Sequence, residues 1–305
     1  MIATVIMAPT EKNITSAVRP FPDVFQTKLP FEERVTVVLY PLDRYSTLPE
    51  TIDSLHPVTT YPFELLVVEG SAPDSVRSAL EKRKSLYKNI RIIYSDQVAS
   101  VSQSMNLAIP HIRTPYAFFT NNRVRFAAGW LNNLMRCIKE TRADMVCPIM
   151  EPAELDPSKP FTPVNINGIL IKKDALKKIG EIDSKISTPL LGLDMSFRAK
   201  ELRLSVIFDS GTRLKLSSES SIRPMDIKLY EHQWDWSRNG ESFAYIQQKW
   251  GAKLDKKAFI AFLEGKKALL KHPTVRVRNI KDRLQSRLYF ASINVKRLAH
   301  IFVSL

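Results

Sequence analysis

Four stretches of the chain place polar and charged side chains just past apolar runs. Asp43 and Arg44 follow VTVVLY, Glu69 and Gly70 follow FELLVV, Asp96 follows NIRIIYS, and Asn121, Asn122 and Arg123 follow YAFFT. In α/β proteins ligands gather beyond the carboxyl ends of strands, so these residues form the candidate site. Divalent cations held there want oxygen ligands, preferably charged ones. The last stretch offers two amides and a guanidinium, and no carboxylate. Asn can present a neutral carbonyl oxygen, whereas Arg123 would repel a cation, so a conventional metal site is not expected at this strand end.

The elements that must position these residues follow from the apolar pattern. VTVVLY (35–40), FELLVVEG (63–70), NIRIIYSD (89–96) and YAFFTNN (116–122) read as strands, the first of them fully apolar and β-branched as a buried parallel strand requires. LPETIDSL (48–55), SVRSALEKRKSLYK (75–88) and SVSQSMNLAIPHI (100–112) read as the helices between them, with Pro49 in the permitted first turn. Alternation at roughly 25–30 residues implies right-handed crossovers and a doubly wound parallel sheet. The rhythm then changes. ADMVCPIM (143–150) is a further strand, followed by a Pro-rich loop (151–163), a strand-to-helix segment ending at Gly180, a helix and strand over 191–209, and an aromatic-rich helical segment from about 224 to 250.

The chain has 305 residues, 44% of them hydrophobic, enough to bury a large core. Its net charge of +14 points to phosphate-bearing partners: nucleic acid, anionic lipid or a nucleotide. No nucleic-acid recognition motif accompanies the charge, so nucleic acid is not the expected partner. Cys137 and Cys147 cannot build a disulfide framework or a zinc cluster, and are read as reduced thiols in a helix and a strand. The apolar run at the N-terminus is short for a membrane span and lacks the basic flank of a secretory signal. A cytoplasmic location is the expectation.

In order along the chain, the motifs resemble those of the family 2 glycosyltransferases. VTVVLYPLDRYSTLPETIDSL resembles the family's opening strand, loop and helix, and FELLVVEGSAPDS its second strand. NIRIIYSD with SMNLAI resembles the third strand and asparagine-bearing helix, and YAFFTNNRV with GWL the metal-site strand. NGILIKKDALKKIGEID resembles the acceptor-side segment, and YIQQKWG the closing motif. The resemblance covers about 33 to 251. It implies the GT-A fold: a Rossmann-like mixed sheet flanked by helices, with a helical, basic C-terminal extension beyond it. The expected organisation is an irregular lead-in (1–33), the GT-A domain (34–252) and a basic amphipathic tail (253–305).

Carried over residue by residue, the resemblance implies a nucleotide-sugar donor site. Asp43 stands where the family places an Asn or Asp near the nucleotide. Glu69 matches the acid that accepts a hydrogen bond from the base, which suits the N3–H of uracil or thymine and so a UDP- or dTDP-sugar. The aspartates of the family's DxD motif become Asn121 and Arg123, with Asn122 between; Asn121 and Asn122 are expected at the donor. What the chemistry needs there is positive charge at the leaving diphosphate, and the guanidinium of Arg123 can supply it in place of a metal. The family's general-base segment is matched by LLGLDMSFRAKELRL, in which Leu191 and Gly192 replace an acidic pair. Asp194 aligns with its later acid and is the local candidate for general base.

Two functions stay open on these residues. One is an inverting, metal-independent glycosyltransferase acting on a glycan, lipid or protein acceptor. The other is a catalytically inactive, glycosyltransferase-like scaffold subunit of a glycan-assembly complex, motivated by the replaced motifs. The tail from 264 to 305 is the most basic part of the chain, and from Asn279 on its apolar residues recur near helical spacing with Lys and Arg between them. It reads either as a helix packed on its own domain or as a peripheral anchor to an anionic membrane surface.

Overall fold

The structure, a computed structural model, describes residues 30–151, 163–217 and 222–271. Strands β1 (Val35–Tyr40), β2 (Phe63–Val68), β3 (Ile90–Ile93) and β4 (Tyr116–Asn121) lie parallel in the order β3-β2-β1-β4. Helices α1 (Leu48–Leu55), α2 (Asp74–Leu86) and α3 (Val101–Ala108) make the crossovers. Their bounds follow local chemistry. Pro49 opens α1 where a missing N–H is harmless. Ser100 and Gln103 close a capping box at the start of α3, with Gln103 N–H donating to Ser100 Oγ at 3.3 Å and Ser100 N–H to Gln103 Oε1 at 2.8 Å.

Beyond β4 the sheet stops being parallel. β5 (Val124–Arg125), β6 (Met145–Glu151), β7 (Gly168–Lys172) and β8 (Val206–Leu216) extend it to the order β3-β2-β1-β4-β7-β6-β8-β5. β7 inserts antiparallel beside β4 and β6, and β5 is antiparallel to β8. The strand-and-helix alternation accounts for the first four strands only; the mixed sheet that the resemblance implies is the one observed.

Every residue of β1 is buried, because helices cover both faces. Val35, Val37 and Leu39 point to one face with α1, α2 and α4 (Trp130–Thr141), where Ile52, Leu80 and Trp130 pack. Val38 and Tyr40 point to the other with α3, α5 (Lys173–Ile179), α6 (Thr188–Glu201) and α8 (Trp236–Trp250). Fully burying one such side chain is worth about 1.5–3 kcal/mol, so the two-faced core dominates stability.

Helix α9 (Lys256–Lys271) also packs on this second face, burying Phe259, Phe262 and Leu263. Residues 272–305, which carry most of the basic amphipathic pattern and its membrane reading, lie outside the described residues, as do residues 1–29 of the lead-in. Among the described residues no helix is long and apolar enough to cross a membrane. Cys137 lies on α4 and Cys147 on β6, both as free thiols, and burial pushes Cys147 up to about 12.

Candidate functional site

The loop after β1 is held from two sides. Asn122, fully buried at the end of β4, accepts from Leu42 N–H at 2.9 Å, and its side-chain NH2 donates to the Arg44 carbonyl at 2.6 Å and to Thr47 Oγ1 at 2.9 Å. From the other side comes Asp226, also fully buried, in the turn before α7 (Ile227–Gln233). Its carboxylate accepts from Tyr45 N–H at 2.8 Å, Ser46 N–H at 2.9 Å and the Ser46 hydroxyl at 2.7 Å. Gln233 at the end of α7 donates to the Leu42 carbonyl at 2.8 Å. Loop backbone that would otherwise bury orphan polar groups is thus paired almost throughout.

These contacts fix Asp43 at the centre of a cationic cluster. Arg44 Nη1 lies 3.2 Å from Asp43 Oδ1, while Arg123 Nη1 lies 3.8 Å and Trp234 Nε1 3.3 Å from Oδ2. Burial pushes the Asp43 carboxyl up, but the charges of Arg123, Arg44 and Lys266 and the Trp234 hydrogen bond outweigh it and hold it below its usual value. It therefore stays ionised through the neutral range. Arg123 is anchored by donating from Nη2 to the Ser217 carbonyl at 2.8 Å, while its Nε is buried with no hydrogen-bond partner among the described residues. A buried donor left unpaired is uncommon and costly.

Glu69 belongs to a neighbouring clip. Gly70 turns the chain after it with φ of 67°, and the Glu69 carboxylate accepts from Ala72 N–H, from Ser95 N–H at 2.9 Å and from Arg77 Nη2 at 2.9 Å. The Tyr45 hydroxyl, donating to the Gly70 carbonyl, joins this clip to the β1 loop. Asp96 is on the exposed surface. Asn121 donates to Asn167 Oδ1 at 2.8 Å and Asn167 to Asn165 Oδ1 at 2.8 Å, and Asn121 Oδ1 accepts from Arg123 N–H at 3.0 Å.

Comparison with known proteins follows from this geometry. Residues 36–183 match the family model described as glycosyl transferase family 2. Those residues form a glycosyltransferase family 2 domain, and the fold is GT-A. Its fold is similar to that of a mannosyltransferase, PcManGT from Pyrobaculum calidifontis, solved with GDP-Man and Mn2+, at TM-score 0.53 and 14% identity over 85% of each chain. It is similar also to GalNAc-T7, solved with UDP, GalNAc and Mn2+, at TM-score 0.53 and 13% identity, over 85% of this chain and 54% of that one. At such identities the two likenesses speak to the fold. No curated protein matches the sequence.

The two solved neighbours carry Mn2+, but the residues that the resemblance sets at the DxD position do not fit a divalent cation. Both amide oxygens there already accept backbone N–H groups, Asn121 from Arg123 and Asn122 from Leu42, and the third position is a guanidinium. Among the described residues no three His, Cys, Asp or Glu side chains come together as a metal-binding group.

The stretch matched to the family's general-base segment departs further. Gly192 packs against the chain at Val164, so a Cβ there would meet the Val164 carbonyl oxygen at 2.2 Å. No acidic side chain can stand at that place without displacing the backbone. Overpacking costs roughly 1–3 kcal/mol, and a clash on backbone sits at the upper end. The gain in helix propensity from Gly to Ala is only about 1 kcal/mol. Gly192→Ala should therefore melt several degrees below wild type in a thermal unfolding curve; an unchanged midpoint would show that the Val164 segment yields freely.

Asp194 sits on α6 in a separate charge network. Its Oδ1 accepts from Lys249 Nζ and Trp250 Nε1, each at 2.8 Å, and Arg198 Nε lies 3.1 Å from Oδ2. Lys249 also bridges to Asp183 at 2.8 Å. None of these contacts reaches Asp43, so Asp43 and Arg123 come together while Asp194 is held elsewhere. The aromatic residues of the segment from 224 to 250 go to different places: Tyr230 is fully buried, Tyr245 donates to Asp183 at 3.0 Å, and Trp236 is exposed. His232, pushed down to about 4 by burial and by the Arg238 guanidinium, is a neutral imidazole at neutral pH. Asp226, Gln233, Trp234 and Lys266 complete the site. Trp234 carried the signal of the aromatic run, while Lys266 was hidden in the basic tail.

Proposed function

We propose that this glycosyltransferase moves a sugar, with inversion, from a nucleoside diphosphate donor to a glycan, lipid or protein acceptor, and that guanidinium charge replaces the metal at the leaving diphosphate. The observation that carries the reading is the cluster around Asp43, in which Arg44 Nη1 at 3.2 Å and Arg123 Nη1 at 3.8 Å face one fully buried carboxylate. As the bond from the anomeric carbon to the diphosphate oxygen breaks, negative charge grows on the phosphates. Cations already fixed in a water-poor site stabilise that charge with little reorganisation. The Nε of Arg123, unpartnered among the described residues, is a donor that a phosphate oxygen would satisfy.

At the base end, Glu69 would take the N3–H of uracil or thymine once Arg77, the more exposed partner of their ion pair, turns aside. Asp194 would take the acceptor proton only after its contacts with Lys249 and Arg198 open. Asp43, Glu69, Asn121 and Asn122 are all fully buried. That burial, with Gly192 packed where the family has an acid, favours a second reading as a non-catalytic relative in a glycan-assembly complex.

Calorimetry of the full chain with UDP, dTDP and GDP and their sugar conjugates, in EDTA and then in Mn2+, separates the two. Binding of a nucleoside diphosphate that is equally tight in EDTA is the expected result. Absence of binding to every nucleotide would sink the transferase reading and leave the scaffold.

A further inference from the structure

We propose that Asn165, in the turn before β7, contacts the transferred sugar of the donor, its side-chain NH2 donating to a sugar hydroxyl or carbonyl oxygen. This contact rests on the donor-site reading above and adds the sugar to it. Three amides stand in a row behind the NH2. Asn121 Oδ1 accepts from Arg123 N–H at 3.0 Å, and Asn121 Nδ2 donates to Asn167 Oδ1 at 2.8 Å. Asn167 Nδ2 donates to Asn165 Oδ1 at 2.8 Å, and that oxygen also accepts from Asn167 N–H at 3.0 Å. A backbone N–H can only donate, so the one at each end of the row fixes which end of the amide is the oxygen. The row therefore has a single polarity, from the Arg123 N–H to the Asn165 NH2, and each bond strengthens the next. Asn121, fully buried, is spent at both ends and reaches a ligand only through this row. Asn165 is half-buried, and its NH2 has no acceptor among the described residues.

The backbone that carries this NH2 is pinned on three sides. Val164 N–H donates to Ser196 Oγ at 2.8 Å, the Tyr40 hydroxyl to the Ile166 carbonyl at 2.9 Å, and the Thr120 hydroxyl to the Asn167 carbonyl at 2.9 Å. Val164 and Ile166 are buried while Asn165 and Asn167 are half-buried, so the amides leave the core as the apolar side chains enter it. The turn also joins two parts of the site. On one side is the end of β4, where Arg123 faces Asp43. On the other is α6, where the missing side chain of Gly192 leaves room for the Val164 carbonyl. In the transfer proposed above, the sugar lies between the leaving diphosphate and the incoming hydroxyl. Closing the turn takes only the Asn165 oxygen, which an aspartate would supply as well. The NH2 is the part that folding leaves unused, and sugar hydroxyl and carbonyl oxygens are the acceptors it suits.

The test is calorimetry in EDTA on the full chain, for wild type and Asn165→Asp. UDP-glucose, UDP-N-acetylglucosamine, dTDP-glucose and GDP-mannose are each compared with the bare diphosphate. The aspartate keeps the oxygen that Asn167 uses and removes only the donor. Wild type should bind at least one conjugate more tightly than its diphosphate. In Asn165→Asp that preference should fall about tenfold, the loss of one hydrogen bond that leaves two oxygens facing each other. Whatever the added charge costs the phosphates is common to both ligands and cancels in the ratio. A preference in Asn165→Asp equal to that of wild type overturns the inference and leaves the donor reading standing, because a turn-forming role alone predicts it. A wild type that binds every conjugate no more tightly than its diphosphate overturns it too. Wild type that binds no nucleotide ends the donor reading and this contact with it. If Asn165→Asp melts below the assay temperature, Asn165→Ala takes its place with the same expected loss of preference.

Discussion

Asn122→Asp, which puts an acid at the middle position of the stretch matched to the DxD motif, should destabilise the protein by about 3 kcal/mol, the cost of a buried unpaired group plus part of that of a buried charge. The amide makes bonds that a carboxylate cannot. Its side-chain NH2 donates to the Arg44 carbonyl at 2.6 Å and to Thr47 Oγ1 at 2.9 Å. In the variant an anionic oxygen would face the Arg44 carbonyl oxygen at that distance. Thr47 can turn its hydroxyl to donate; a carbonyl has no such freedom. The bond from Leu42 N–H to Oδ1 survives and becomes stronger with charge, but it is one contact against a repulsion in a fully buried place. For a domain of this size about 3 kcal/mol corresponds to a fall of roughly 6–12 °C in Tm. A thermal melt by circular dichroism reads it directly, and a midpoint within a degree of wild type would show that the loop does not depend on this amide. The result bears on function. If the fold requires an amide here, Asn122 is a clip that shapes the site, and its presence does not by itself signal decay of the activity.

What the sequence revealed and what it concealed divide along the range of the contacts involved. Helix α1 was legible because Pro49 marks its first turn and Leu48, Ile52 and Leu55 repeat at helical spacing. Strands β1 and β4 were legible as unbroken apolar runs, since a strand covered on both faces has no polar side to show. The antiparallel insertion of β7 between β4 and β6 has no such local mark, because register depends on partners far along the chain. The site divides in the same way. Asp43 and Arg123 could be placed by their strand ends. Asp226 reaches Tyr45 and Ser46 across 180 residues or more, and nothing in PMDIK announces it. The alignment that offered Asp194 as a base could not show its commitment to Lys249 and Trp250, which lie on a later helix. Lys266 was concealed by composition. In a basic stretch one lysine resembles its neighbours until the fold sets it over Trp234.

Arg123→Ala should weaken nucleoside diphosphate binding about a hundredfold, two charge-assisted hydrogen bonds at roughly tenfold each, and Mn2+ should not restore it. The side chain has two duties, and the test must separate them. One is structural: Nη2 holds the Ser217 carbonyl at 2.8 Å. The other is electrostatic, since Nη1 stands 3.8 Å from Asp43 while Nε is buried without a partner among the described residues. Removing the guanidinium does not strand Asp43, because Arg44 at 3.2 Å and the Trp234 N–H at 3.3 Å remain. The loop should therefore stay folded, and the melting curve should shift by far less than in Asn122→Asp. Arg123→Lys keeps a cation but loses the planar fork. If bidentate geometry matters, it should fall between wild type and alanine; if charge alone matters, it should bind as wild type does. Unchanged diphosphate binding in Arg123→Ala would remove the residue from the donor site. Recovery with Mn2+ would mean that the two amides of β4 and the nearby Asp43 can hold a cation once the guanidinium is gone. The strand end would then be a metal site that Arg123 has closed, which is the opposite of a guanidinium that does the metal's work.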